Sequence, residues 1–255
     1  MIIDVNCDLG EGVTVDGQAV ENRIMPLVSS ANIACGRHAG NKESMKMCIG
    51  LAIAHDVSIG AHPSYDDREN FGRAFVPMQK TDLIKLISEQ IATLGDLAAL
   101  QGKKLNHVKA HGALYNAAVK DADIADALAR AVAGYDKKLV LFGLPKSALE
   151  KAARQYGLAF AAEAFPDRSY NDDGSLTDRR LPGAVLTDPK IVLKRAVMMV
   201  KDKRIQSVSG KWIGIHADTL CIHGDNPKAY HFLMALKDAF QKENITVKPT
   251  KNVCL

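Results

Sequence analysis

Short apolar runs alternate with longer, helix-patterned segments along all 255 residues, and this alternation most narrows how the chain can fold. Ile2–Val5, Ser58–Ala61, His107–Lys109, Leu139–Phe142, Leu158–Ala162 and Thr219–Ile222 read as buried strands, with Ala31–Ala34 and Gly183–Leu186 as weaker ones. Between them, apolar residues recur at helical spacing. Asn41 caps a helix running to Ala54, with Met45, Cys48, Ile49 and Ala52 on one side. Thr81 caps a second, with Leu83, Ile87, Ile91, Leu94 and Ala98 on its apolar face and Gly102 as its stop. A third runs from Asp121 to Gly134, and a fourth has Pro145 in its first turn and closes at Gly157. Asp188-Pro189 and Asn226-Pro227 start two more, the last presenting Ala229, Leu233, Leu236 and Phe240 on one face. Alternation of this kind builds βαβ units and a parallel sheet covered by helices. Six or more units favour a closed barrel over an open sheet. No linker or low-complexity stretch interrupts them, so residues 1–255 are expected to form a single β/α barrel domain.

In such barrels, chemistry gathers where strands end and βα loops begin. The polar residues obey that rule. The first strand runs into Asn6-Cys7-Asp8-Leu9-Gly10-Glu11, and the second into Asn32-Ile33-Ala34-Cys35-Gly36-Arg37-His38. Others run into His62-Pro63, into Lys109-Ala110-His111-Gly112 through Asn116, into Glu163 followed by Asp167-Arg168, and into His223-Gly224-Asp225. Four histidines, His38, His62, His111 and His223, thus follow four different strands, each close to Gly or Pro. Histidine with carboxylate suits proton transfer near neutral pH. Asp8, Glu11, Glu163, Asp167 and Asp225 are the candidate carboxylates, while Lys109 and Arg168 could hold a substrate carboxylate or an oxyanion. Glu163 and Arg168 could equally be a structural ion pair. A ring of His and Asp also suits a divalent ion, but no residue is assigned to one. His107 and His111 resemble a ligand pair, yet four residues along a strand span about 13 Å, so the chain would have to bend between them. Cys35 beside His38 could be a nucleophile, although a buried Cys acting as a small hydrophobe is the commoner case.

Composition removes other classes. Charge is nearly balanced, +4 from 33 basic and 29 acidic residues, and aromatics make up 5%, which speaks against a nucleic-acid surface. Five cysteines without a Cys-x-x-Cys pair argue against a disulfide framework and point to a reducing cytoplasm. No apolar run approaches the roughly 18 residues of a membrane helix, and the N-terminus reads as a strand and not as a signal peptide. No phosphate-binding loop of recognised form is present: Ser209-Gly210-Lys211-Trp212 lacks both the first Gly and the hydroxyl residue.

These motifs, with Ser30-Ala31-Asn32-Ile33-Ala34-Cys35-Gly36, His38-Ala39-Gly40, Gly60-Ala61-His62-Pro63, His111-Gly112-Ala113-Leu114-Tyr115-Asn116 and Cys221-Ile222-His223-Gly224-Asp225, resemble the LamB/YcsF family, described as the PxpA component of 5-oxoprolinase, over essentially the whole chain. The resemblance implies an irregular seven-stranded TIM-like barrel, similar to the glycoside hydrolase and deacetylase barrels. It implies ATP-dependent hydrolysis of 5-oxoproline to L-glutamate, performed with two partner subunits resembling PxpB and PxpC. It carries over thirteen residues as the pocket; within it, Asp8, Glu11, His38, His62, His111 and Asp225 are assigned to catalysis, and Asn32, Lys109, Asn116, Glu163, Asp167, Arg168 and His223 to substrate binding. Arg37, Ala110 and Pro166 replace the family's usual Phe, Pro and Ala, and the stretch Ser64–Asn70 is rewritten, which leaves the particular lactam open. Two other readings stand beside it: a stand-alone, metal-dependent deacetylase or amidase, and a non-catalytic subunit that positions partners.

Overall fold

The computed structural model describes residues 1–12, 21–222 and 229–250. Seven parallel strands close into a barrel: β1 (Ile2–Leu9), β2 (Ser30–Ala34), β3 (Ser58–His62), β4 (His107–Lys109), β5 (Val140–Gly143), β6 (Ala159–Ala164) and β9 (Thr219–Ile222), with β9 pairing back onto β1. A short β10 (Thr246–Val247) extends the sheet beside the start of β1. The segment between β6 and β9 carries an antiparallel hairpin, β7 (Arg204–Gln206) and β8 (Trp212–Gly214), outside the barrel. The outer layer consists of α1 (Lys42–Ala54), α2 (Lys80–Leu100), α3 (Gly112–Lys120), α4 (Ala122–Tyr135), α5 (Ala148–Gln155), α6 (Pro189–Lys201) and α7 (Ala229–Lys242).

Helix faces follow the apolar spacing. Met45, Cys48, Ile49 and Ala52 of α1 are buried, as are the five expected residues of α2 and the four of α7. Asn41 closes a capping box with Ser44, and Asp188-Pro189 opens α6 as expected. Several boundaries differ. Gln79 precedes α2, and Thr81 lies inside it. Ser147, accepting from the Glu150 amide, caps α5, so Pro145 falls in the preceding turn. The segment after His111 is helix α3, directly followed by α4. Gly183–Leu186 contributes only one isolated bridge, from Val185 to Arg168. Asn226-Pro227 lies outside the described residues.

The strands themselves run further than their apolar cores. β1 reaches Leu9 and β6 reaches Ala164, so Asn6, Asp8 and Glu163 sit within strands. Strand side chains alternate between faces. In β1, Ile3, Val5, Cys7 and Leu9 join the hydrophobic layer beneath the helices. The alternate residues Asp4, Asn6 and Asp8 face the barrel interior and bond to side chains on the neighbouring strands β2 and β9. A TIM-type interior is usually packed with bulky aliphatics. Here a polar network replaces much of that packing, and a small apolar group, Val140, Phe142 and Ala161, accompanies it. His107 stacks on Phe142 with ring centroids 4.2 Å apart. Gly60 makes room for it, since a Cβ there would stand 2.0 Å from His107 Nε2.

Candidate active site

At the C-terminal ends of the strands, the interior network opens into a cavity of about 750 Å³. Asp8, Glu11, His62, Lys109 and His111 line its floor, and Arg73, Lys120, Arg179 and Arg180 also line it. The backbone delivers each group from a different element. Asp8 lies one residue before the end of β1 and Glu11 follows the strand, His62 is the last residue of β3, Lys109 ends β4, and His111 precedes α3. The turn after β2 returns His38 to the same point, where its Nε2 lies 3.0 Å from Glu11 Oε1.

Beneath the floor, the interior polar groups are tied to one another. Lys109 Nζ lies 2.8 Å from Asp8 Oδ1, 3.0 Å from Glu163 Oε1, 3.2 Å from Asn6 Oδ1 and 2.9 Å from Cys221 Sγ. Asn32 Nδ2 donates to Asp8 Oδ1 and to Asn6 Oδ1, both at 2.7 Å, and its own Oδ1 is 2.8 Å from His107 Nε2. Burial opposes charge on Lys109, but Asp8, Cys221 and Glu163 override it and hold the ammonium well above the ordinary lysine value. Burial pushes His107 down to about 3, assisted by Lys109, so this imidazole is neutral.

The four upper groups interlock. Glu11 Oε1 lies 3.2 Å from His111 Nδ1 and 3.8 Å from His62 Nε2, and those two ring nitrogens are 2.9 Å apart. His62 Nε2 is also 3.5 Å from Asp8 Oδ2. Burial would raise the Glu11 carboxyl, but contacts with His111 and His38 bring it down to about 2, so it is ionised. Burial lowers His38 to about 4. The inward donor atoms of Glu11, His38, His62 and His111 all lie within 4.8 Å of one another, so the group could hold a metal ion.

The chain matches the LamB/YcsF family from residue 3 to residue 254. It belongs to the LamB/YcsF family. The crystal structure of a lactam utilization protein from Thermus thermophilus is 37% identical, with a TM-score of 0.92, and the match covers 98% of this chain and 100% of that one. More distant structures share the fold alone. A protein named for cellobiose-phosphate cleavage from Enterococcus faecalis is 12% identical, with TM-score 0.55 and 96% of each chain covered. A truncated 3-deoxy-D-arabino-heptulosonate 7-phosphate synthase from Thermotoga maritima is 7% identical, with TM-score 0.51 and coverage of 97% and 90%.

In this LamB/YcsF barrel, Asp8, Glu11, His38, His62 and His111 converge as the sequence indicated, while His223 and Asp225 lie outside the described residues. The residues assigned to substrate divide. Asn116 is exposed on α3 and lines the cavity. Asn32 and Glu163 are fully buried in the network below and are not among the lining residues, so they position Asp8 and Lys109. Lys109 reaches the floor, but its three N–H bonds are spent inside the barrel, which leaves none to capture a substrate carboxylate. Arg168 lines the wall, yet its Nε and Nη2 donate to the carbonyls of Ala184 and Thr177, holding the loop after β6. Asp167 is half-buried beside it and is not a lining residue. Glu163 pairs with Lys109, which corrects the reading of a Glu163–Arg168 ion pair. Cys35 donates to the Ile33 carbonyl, and burial pushes its thiol up to about 12, which removes the thiolate a nucleophile needs. His107 stays in the interior, away from His111's cluster. In the sequence, Asn6 and the cavity-lining Tyr115 carry no site assignment, and His107 enters only as a metal-ligand partner of His111. The alternation Asp4, Asn6, Asp8 in an otherwise apolar strand is the signal that marks Asn6.

Proposed function

We propose that this protein hydrolyses the ring amide of a lactam, with 5-oxoproline as substrate and L-glutamate as product. The observation that carries the reading is the convergence of Asp8, Glu11, His62 and His111 on one cavity floor, in a chain 37% identical to a protein named for lactam utilization. Water adds to the ring carbonyl carbon, the C–N bond breaks, and the nitrogen leaves with a proton. Glu11, His62 and His111 fix the attacking water. Asp8 takes its proton and returns it to the departing nitrogen. Asp8 suits this role because Asn32 and Lys109 hold its Oδ1, which aims Oδ2 toward His62. Arg179, a lining cation outside the buried network, receives the substrate carboxylate.

An unstrained amide is a poor electrophile, and glutamate tends to close back to the lactam. ATP overcomes both by phosphorylating the amide oxygen: water addition and C–N cleavage then leave an acyl phosphate, and a second water releases inorganic phosphate to give glutamate. The family resemblance supplies two partner subunits for that step, consistent with a chain lacking a recognised phosphate-binding loop. The test is a reconstitution with those partners, 5-oxoproline and ATP, reading glutamate. Asp8→Asn should slow glutamate formation by about 100-fold or more, with the circular dichroism spectrum unchanged. Wild-type rates in both Asp8→Asn and His62→Asn would overturn the reading. Glutamate release by the isolated chain without ATP would replace it with a stand-alone amidase.

A further inference from the structure

Each imidazole of the upper cluster is already committed on its outer nitrogen. His62 Nδ1 donates to the Lys109 carbonyl at 2.7 Å, and His111 Nε2 donates to the Phe71 carbonyl at 2.9 Å. His38 Nδ1 lies 2.9 Å from Ser64 Oγ, whose own proton goes to the Tyr65 carbonyl, so His38 must be the donor. A neutral imidazole carries one N–H. In that form the single N–H of each ring is the outer one, so the three inward nitrogens offer lone pairs to a cation, and the Glu11 carboxylate adds a fourth acceptor. Nevertheless His62 Nε2 and His111 Nδ1 stand 2.9 Å apart, and Glu11 Oε1 stands 3.0 Å from His38 Nε2 and 3.2 Å from His111 Nδ1. Acceptors this close repel unless positive charge lies among them. Protons alone would have to bridge each facing pair separately; one dication satisfies them together.

We propose that Glu11, His62 and His111 hold one divalent transition-metal ion of the zinc class, with His38 as a fourth, weaker donor. Spacing supports the assignment. With metal bonds of about 2.1 Å, tetrahedral donors stand about 3.4 Å apart, and the three pairs measure 2.9, 3.2 and 3.8 Å. His38 is set apart because its ring is stacked on His111, 3.8 Å away and tilted by only 5°, so one ion cannot lie in both ring planes. Nitrogen and oxygen donors without a thiolate favour zinc-like ions over soft ones. Outer acceptors on each ring are the arrangement that orients metal-bound histidine. When bound, such an ion acidifies a coordinated water and polarises a carbonyl. The proposal deepens the lactam reading, on which it depends for substrate only.

Chelator-stripped full-length protein is titrated with Zn²⁺ and Co²⁺ against a chromophoric competitor. One equivalent should bind, with Co²⁺ giving visible absorption. His62→Ala and His111→Ala should each weaken Zn²⁺ by about 100-fold or more, and Ser64→Ala, which frees His38, by about 10-fold. Circular dichroism confirms that each variant is folded, and His62→Asn and His111→Gln replace any alanine variant that is not. Absence of saturable binding to the folded stripped protein would overturn the site, as would wild-type affinity in the folded His62 and His111 variants. Metal binding without lactam hydrolysis would instead sink the substrate reading and leave the site standing.

Discussion

At Lys109 a single ammonium faces two carboxylates, Asp8 and Glu163, in a position only 3% exposed. Charges removed from water are tolerated when paired, and deleting one partner strands the others. Lys109→Met keeps the aliphatic stem but leaves both acids without their cation. It should therefore cost about 3–5 kcal/mol of unfolding free energy, read from urea denaturation at pH 7. Adding Glu163→Gln removes one stranded charge and should recover part of that loss, while hydrolysis stays impaired because Asp8 still lacks its cation. A single variant as stable as wild type would show that the network does not depend on this cation. The residue's importance was visible in the sequence, but its role was not. Lys109 read as a substrate binder because a cation at a strand end normally faces the ligand, and nothing in the primary structure marks that Asn6, Asp8, Glu163 and Cys221 consume its donors.

Among the elements, the loop between β3 and α2 closes the site, and it turns at Gly72. Its φ of +66° suits glycine, and a Cβ there would lie 2.8 Å from His38 Cβ and 2.9 Å from His111 Cδ2. The Gly72 carbonyl accepts from the Ala113 amide, tying this loop to the start of α3. Gly72→Ala should leave the barrel folded but push His38 and His111 off their positions. Hydrolysis is expected to fall by about 100-fold, since misplacement of about 1 Å costs that much, with the thermal midpoint lowered by only a few degrees. Normal kinetics in a folded Gly72→Ala protein would show that this loop does not set the histidine geometry. Element types were largely legible, because amphipathic spacing reports which face is buried. α3 was not, since Gly112 at its first position and the absence of a linker after β4 look like loop. β7 and β8 were hidden for a related reason: each is three residues long with only its central Ile buried, too little for an alternating pattern.

Across the whole molecule, a barrel with a polar interior ties stability to pH. Asp4 anchors the layer furthest from the cavity, accepting hydroxyl protons from Ser29 at 2.5 Å, Ser30 at 2.8 Å and Thr219 at 2.5 Å. Burial raises its carboxyl from 3.8 to about 6, even though those hydroxyls pull the other way. Between these two values the folded chain holds a proton that the unfolded chain has released. Stability contributed here must then fall as pH rises from about 4 to 6, and the loss persists above that window. The pKa difference limits the effect to roughly 3 kcal/mol. Asp4→Asn removes this titration, while the other ionisable groups contribute almost equally to both proteins. Urea unfolding of wild type and Asp4→Asn at pH 4, 5, 6 and 7 isolates it. The wild type should lose about 1–3 kcal/mol relative to the variant between pH 4 and 7, most of it below pH 6. A difference independent of pH would mean that Asp4 ionises as an ordinary carboxylate and that its three hydroxyl partners fully compensate its burial.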